Sequence, residues 1–270
     1  MSAQIALDAV RTLPGIVLAG LFVGELVAGI YARGPGSARE NWLNGLSFLQ
    51  DRIVVEPLAV LSGATLWAWL LPDREGFLAA APFWSVLPGF ALCNDFAHYW
   101  FHRWAHTQPL LWRAHATHHT ATQMCVAATS RLNVFWRLIY PTTNLGAFAV
   151  YAGQPEAYFV WWAITGALNF LVHSAFRWDL PLHEFSALRP LAKAMEAILI
   201  TPDVHHAHHG NGKLGAGNRN FGQTLVLWDQ LFGTLVRPHA RQDAFGAKGD
   251  VNASLARQLL WPFAGWSARR

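Results

Sequence analysis

The chain has 270 residues, of which 53% are hydrophobic and only 13% charged, about half the charged share of an ordinary soluble domain. That balance argues against a water-solvated surface of the usual kind and for a protein solvated largely by lipid. The net charge of +4 is dispersed along the chain, which argues against a nucleic-acid-binding face and fits positive-inside sorting of membrane loops.

Five apolar stretches, residues 13–31, 53–71, 82–101, 134–151 and 155–172, approach the ~20 residues that a helical span requires. The first lacks the basic leader and small-residue cleavage site of a signal peptide. The runs are continuous and do not alternate, so helices are expected and a barrel is not. If the histidine-rich segments face the cytoplasm, Arg11 and Arg74 lie outside and the rest of the twenty Lys/Arg lie inside or at the inner boundary. Asp73-Arg74-Glu75-Gly76 then forms an outer turn between the second and third spans, and Gly153-Gln154-Pro155-Glu156 another between the fourth and fifth. Residues 182–199 carry an amphipathic pattern interrupted by Pro181 and Pro190, which predicts a segment lying at the membrane surface. No linker, repeat or low-complexity tract divides the chain, so residues 1–270 are read as one membrane domain ending in a polar tail, 236–270. Cys93 and Cys125 have no metal or redox spacing, and no disulfide is expected.

All thirteen histidines except His183 and His239 belong to a pattern. His98, His102 and His106 are spaced four apart and form a stripe on a helix that continues the third span. His115, His118 and His119 read H-x-x-H-H, with all three on one helical face. The same pattern recurs as His205, His208 and His209, and His173 stands where the fifth span ends. His206 leaves a second register open for the last cluster, with one residue before the final pair. So many phased imidazoles are too many for one ion and suit two, with coordination positions left open. Imidazole serves iron, zinc, copper and nickel alike, so ligand type does not name the metal.

Two other classes were weighed. A metal-binding or transport protein without oxidase activity predicts acids or histidines in mid-span. Glu25 and Glu56 lie in spans, and neither pairs with a histidine in the sequence. A zinc hydrolase wants a glutamate base beside its ligands, as in H-E-x-x-H, and none is present.

Asp95…His98-Tyr-Trp-Phe-His102-Arg-Trp-Ala-His106, Trp112-Arg-Ala-His115-Ala-Thr-His118-His119, His205-x-x-His208-His209 and the ending "NRNFGQTLVLWDQLFGT" resemble the fatty acid hydroxylase/sterol desaturase superfamily over about residues 90–235. The resemblance implies an all-α integral membrane bundle of about four to five transmembrane helices, with a cytoplasmic, helical, histidine-rich cap holding two metals. It implies that His102, His106, His115, His118, His119, His205, His208 and His209 are ligands, assisted by His173. His98 resembles a position that some members fill with tyrosine. Where some members carry one more histidine, this chain has Asn169. A ligating imidazole needs its other N–H held by a carboxylate or carbonyl, which makes Asp95, Asp203 and Asp229 candidates for that task. Asn220 either hydrogen-bonds a ligand or shapes the turn before Phe221-Gly222.

The activity implied is that of an oxidoreductase: reductive activation of O2 at two iron ions, yielding an alcohol or an alkene from an aliphatic C–H bond of a lipid. No catalytic residue is expected beyond the metal centre. Zinc can replace iron on purification, because it stands above Fe²⁺ in the affinity order. No flavin, haem or iron–sulfur motif is present, so electrons must come from an external reductase, a ferredoxin or a cytochrome b5-type donor on the cytoplasmic face. The expected setting is a multi-pass protein, its site facing the cytoplasm, of a bacterial inner membrane. Sterol, fatty acyl, ether-lipid and carotenoid-like substrates are all compatible with the sequence. Trp100, Phe101, Trp104 and Trp112 either guide the substrate or form an interfacial belt.

Overall fold

Helix α1 (Ala3–Val27) carries the first apolar stretch as far as Val27, and a 3-10 turn (Ile30–Ala32) follows. The second begins much earlier than expected: helix α2 (Ser37–Gln50) runs through a π turn (Asp51–Val55) into α3 (Glu56–Leu70) as one 34-residue rod. The wide turn brings Asp51 inside the bundle. There it receives the Arg137 guanidinium, Nη2 at 2.9 Å, while Arg52 pairs with Glu56 one turn on at 2.6 Å. The protein is described by a computed structural model over residues 3–33, 37–247 and 253–263, and among these it is helical, with isolated β-bridges and no strand.

Helix α4 (Phe83–Thr107) carries the third stretch past residue 101, and α5 (Pro109–His119) turns back beneath it. The fourth expected span is not one helix. It is broken into α6 (Val134–Leu138) and α7 (Pro141–Tyr151), because Pro141 offers no N–H and forces Tyr140 into an extended conformation. The 11 residues of α7 rise only about 16 Å, short of the ~30 Å hydrocarbon core. Helix α8 (Pro155–His173) matches the fifth stretch. The amphipathic region becomes α9 (Asp179–Glu184) and α10 (Arg189–Ile198), with Leu191 and Ile198 of α10 exposed. Three short helices complete the chain: α11 (Pro202–His209), α12 (Leu227–Leu231) and α13 (Leu255–Leu260).

Among the described residues, α1 and α2–α3 are the helices long and apolar enough to cross a membrane by length and composition. Their outward faces are apolar: Ile16, Val23, Leu58, Leu61 and Trp69 are all exposed. A continuous surface of that kind needs lipid or a partner to cover it.

Helix α1 packs along α8, α3 along α7, and α4 against both α7 and α8. The two expected outer turns meet at one end of this bundle. Gly76 N–H donates to Tyr151 O at 2.9 Å, Leu78 N–H to Ala152 O at 2.9 Å, and Gln154 Nε2 to Leu78 O at 2.6 Å. Gly153 holds φ of 89°, and a Cβ there would lie 2.9 Å from Ala79 Cβ, so the contact requires glycine. The histidines lie at the opposite end, where buried Glu25 of α1 receives the N–H groups of Val126 and Ala175 and the Tyr31 hydroxyl. Glu25 and Glu56 are thus held by backbone, tyrosine and arginine partners. Two apolar clusters seat the histidine helices beneath the bundle. Ala105, Ala114, Trp136, Tyr140 and Trp261 fix α5 under α4, while Leu168, Val172, Ile200, Val204 and Val226 fix α11 under α8.

Candidate metal centre

Four helices deliver nine imidazoles to one buried region. Helix α4 gives His102 and His106, α5 gives His115, His118 and His119, α8 ends on His173, and α11 gives His205, His208 and His209. They sort into two groups whose ligand atoms lie within 4.8 Å of one another: His102, His106, His115, His119 and His208, and His118, His173, His205 and His209. Helical periodicity explains the sorting. In α5 the i and i+4 residues, His115 and His119, enter one group, and the i+3 residue, His118, enters the other. In α11 the assignment is exchanged: His205 and His209 share a group and His208 crosses over. Each H-x-x-H-H turn therefore bridges both groups, and His119 stacks on His209 at 4.3 Å.

The ring nitrogens are set for ligation. Nδ1 of His102, His208 and His173 donates to the backbone oxygens of Phe221 at 2.9 Å, Arg219 at 2.8 Å and Asn169 at 2.8 Å. That leaves each Nε2 a lone pair facing the cage. His173 Nε2 lies 3.2 Å from His118 Nε2 and 3.0 Å from His205 Nε2, and His115 Nε2 lies 3.1 Å from His119 Nε2. Such spacings match polyhedron edges around an ion with metal–nitrogen bonds of ~2.0–2.1 Å. Nε2 of His102, His106, His208 and His209 is buried with no hydrogen-bond partner, a costly arrangement unless something coordinates it. Burial and neighbouring imidazoles hold His115, His118, His119, His205 and His209 well below the ordinary histidine range, and burial brings His208 down to about 4. The rings are neutral at physiological pH, the form that binds metal. The donor set fits two transition-metal ions.

The candidate supporting residues act differently from expectation. Asp95 receives the N–H groups of Thr224 and Leu225, both at 3.1 Å, and Asp203 receives Arg177 at 3.0 Å and His239 N–H at 3.1 Å. Asp229 receives Phe221 N–H at 2.8 Å, Gly222 N–H at 2.7 Å and the Thr234 hydroxyl at 2.6 Å. These carboxylates hold backbone, and the backbone carbonyls hold the imidazoles. Asn220, at φ 61°, shapes the turn: its Nδ2 donates to Val204 O and Val236 O, and its Oδ1 receives Val236 N–H. Gly222 lies in the same loop, where a Cβ would come 2.8 Å from Leu225 O.

His98 belongs to neither group. Its Nδ1 is hydrogen-bonded to the Tyr140 hydroxyl, with its ring 5.0 Å from that of His102. His206 turns the other way, against Phe245, and Asn169 contributes its carbonyl. Sequence reasoning missed the oxygens of Phe221, Arg219 and Asn169, since every residue carries a carbonyl. It also missed Trp136, stacked on His115 at 4.2 Å, and Arg131, buried on Glu40 at 2.7 Å and Asn44 at 2.8 Å.

A cavity of about 190 Å³ opens onto the cage, with His98, His102, His115, His118, His173 and His205 in its wall. It extends between the helices past Asn94, Tyr140, Trp161 and Phe170 to Val60, Tyr158 and Pro14. Trp100, Phe101, Trp104 and Trp112 do not line it. Trp112 instead rests on His106 and His119, and Phe101 on Trp136.

Comparison with known proteins places this geometry in context. The family model described as fatty acid hydroxylase matches residues 87–234. The ornithine lipid hydroxylase OlsE of Rhizobium tropici is 32% identical over 173 residues, covering 63% of this chain and 48% of its own. The alkylglycerol monooxygenase of Danio rerio is 30% identical over 226 residues, covering 80% and 45%. The fatty acid hydroxylase vlmA of Lecanicillium sp is 30% identical over 186 residues, covering 66% and 46%. The chain spans about half the length of these relatives. No solved structure gives a significant match.

Proposed function

The chain belongs to the fatty acid hydroxylase family, and on that footing we propose that it hydroxylates an aliphatic C–H bond of a membrane lipid, using O2 and electrons from an external donor. One observation carries the reading: a cavity leads from the apolar helices directly to five imidazoles of a buried cage, His102, His115, His118, His173 and His205. An acid–base site has no purchase on an unactivated C–H bond, whereas a redox-metal site does. Oxygen insertion is favoured over desaturation because the relatives are named hydroxylases and monooxygenases.

The nine imidazoles of the cage would hold two iron ions, which supply the reductive activation of O2. The chain's own groups do the rest. The carbonyls of Phe221, Arg219 and Asn169 fix ring orientation and tautomer. Trp161, Trp162 and Phe170 exclude water around the lipid chain, and Asn94, Tyr140 and Gln223 offer it polar contacts beside the cage. The same reading places the cage on the cytoplasmic side, where a donor protein reaches it, with the turns at 73–76 and 153–156 outside.

Lipidomic comparison of membranes with and without the protein tests this. A lipid that gains one oxygen with the wild type but not with His118→Ala supports hydroxylation. A lipid that loses two hydrogens would redirect the reading to desaturation, and no difference would overturn it.

A further inference from the structure

Outside the cage, a third convergence of metal-binding side chains lies on the surface formed by α9, α10 and the segment after α12. His183, Glu196 and His239 present ligand atoms within 4.8 Å of one another. His183 Nε2 is 2.7 Å from Glu196 Oε1, and the rings of His183 and His239 are 5.5 Å apart. We propose that these three residues form a separate binding site for a zinc-class divalent ion, distinct from the catalytic cage.

The His183–Glu196 contact alone would be an ordinary hydrogen bond. What it does not account for is the third side chain. His239 comes from a distant part of the chain and is held there in the left-handed region, at φ 48°, its N–H bonded to Asp203 at 3.1 Å. Few non-glycine residues take that conformation. The same Asp203 carboxylate lies 3.8 Å from His239 Nδ1, an ion-pair separation. The other two ligands are also pinned: Arg189 Nε donates to the His183 carbonyl at 2.7 Å, and the Arg237 guanidinium donates to that of Glu196.

Exposure is graded in the way a surface ion site needs. The Glu196 side chain is 12% exposed, His183 31% and His239 54%, so the carboxylate forms the floor and the imidazoles the mouth. Two imidazoles and one carboxylate suit zinc, cobalt or nickel, and are a poor set for calcium or magnesium, which take oxygen ligands. Three protein ligands leave a position for water. The site would clip the α9–α10 pair to the segment that binds Asp203, the second residue of α11.

The test uses the full-length protein in detergent, equilibrated with Zn²⁺ at a series of buffered free concentrations, with bound zinc counted by mass spectrometry. Wild type should carry one zinc more than either Glu196→Gln or the double variant His183→Ala/His239→Ala. Zn²⁺ should also raise the unfolding temperature further for wild type than for the variants. Glu196→Gln keeps the side chain's shape and guards against a folding artefact. The comparison is a difference, so it stays readable whether the cage holds one ion or two. Equal zinc content in wild type and variants at every free concentration would overturn the proposal.

Discussion

His205 and His206 are neighbours in sequence with opposite surroundings. His205 faces His173 at 3.0 Å inside the cage, and His206 packs on Phe245 outside it. His205→Ala should therefore abolish product formation and His206→Ala should largely retain it; the reverse result, from turnover in isolated membranes, would move the ligand by one residue. His118→Ala and His208→Ala should also abolish turnover while leaving protein that inserts and elutes as a single species, because the bundle is packed through apolar contacts that do not need the metals. His98→Ala should fall between, with a loss of about 10–100-fold, the range typical of residues that support ligands. Its Nδ1 is hydrogen-bonded to the Tyr140 hydroxyl. His239→Ala should leave turnover nearly unchanged.

At the scale of elements, the loop 219–225 is where support for the cage concentrates. Asp229 accepts two of its N–H groups, and the Phe221 and Arg219 carbonyls accept His102 and His208. Asp229→Asn presents an amide N–H₂ to donors that need an acceptor. The unpaired groups should cost about 1–3 kcal/mol of stability, and the misplaced imidazole about 10–100-fold in metal affinity or activity; thermal unfolding and bound-metal measurements check both. Gly222→Ala should act in the same direction through its close approach to Leu225 O. The histidine boxes were legible in the sequence because ligands on one helix must recur at helical spacing. Their supports were not, because a carbonyl has no letter, and because Asp95 acts on Thr224 and Leu225, far away in sequence. The break between α6 and α7 was written in the sequence as Tyr140-Pro141, but the apolar run around it reads as a span when hydropathy alone is weighed. The π turn at Asp51–Val55 left no sequence signal; it accompanies the pairing of Asp51 with Arg137, far along the chain.

For the whole molecule, the turns at 73–76 and 153–156 lie at one end of the bundle and the cage at the other, the arrangement that the proposed orientation requires. In a background lacking Cys93 and Cys125, Glu75→Cys should react with an impermeant thiol reagent in intact cells and Lys213→Cys only after lysis. The opposite pattern would invert the orientation. Protein purified without chelators should carry close to two cage ions per chain; full activity with a single cage ion would contradict the two-metal centre.

The most direct measurement is to supply isotopically labelled dioxygen to cells making the wild-type protein or His118→Ala, and to follow their membrane lipids by mass spectrometry. A lipid hydroxylated only by wild type, whose new oxygen carries the label, is the result predicted. A product whose oxygen comes from water, or an identical lipid profile in the two strains, would contradict the assignment as an O2-dependent lipid hydroxylase.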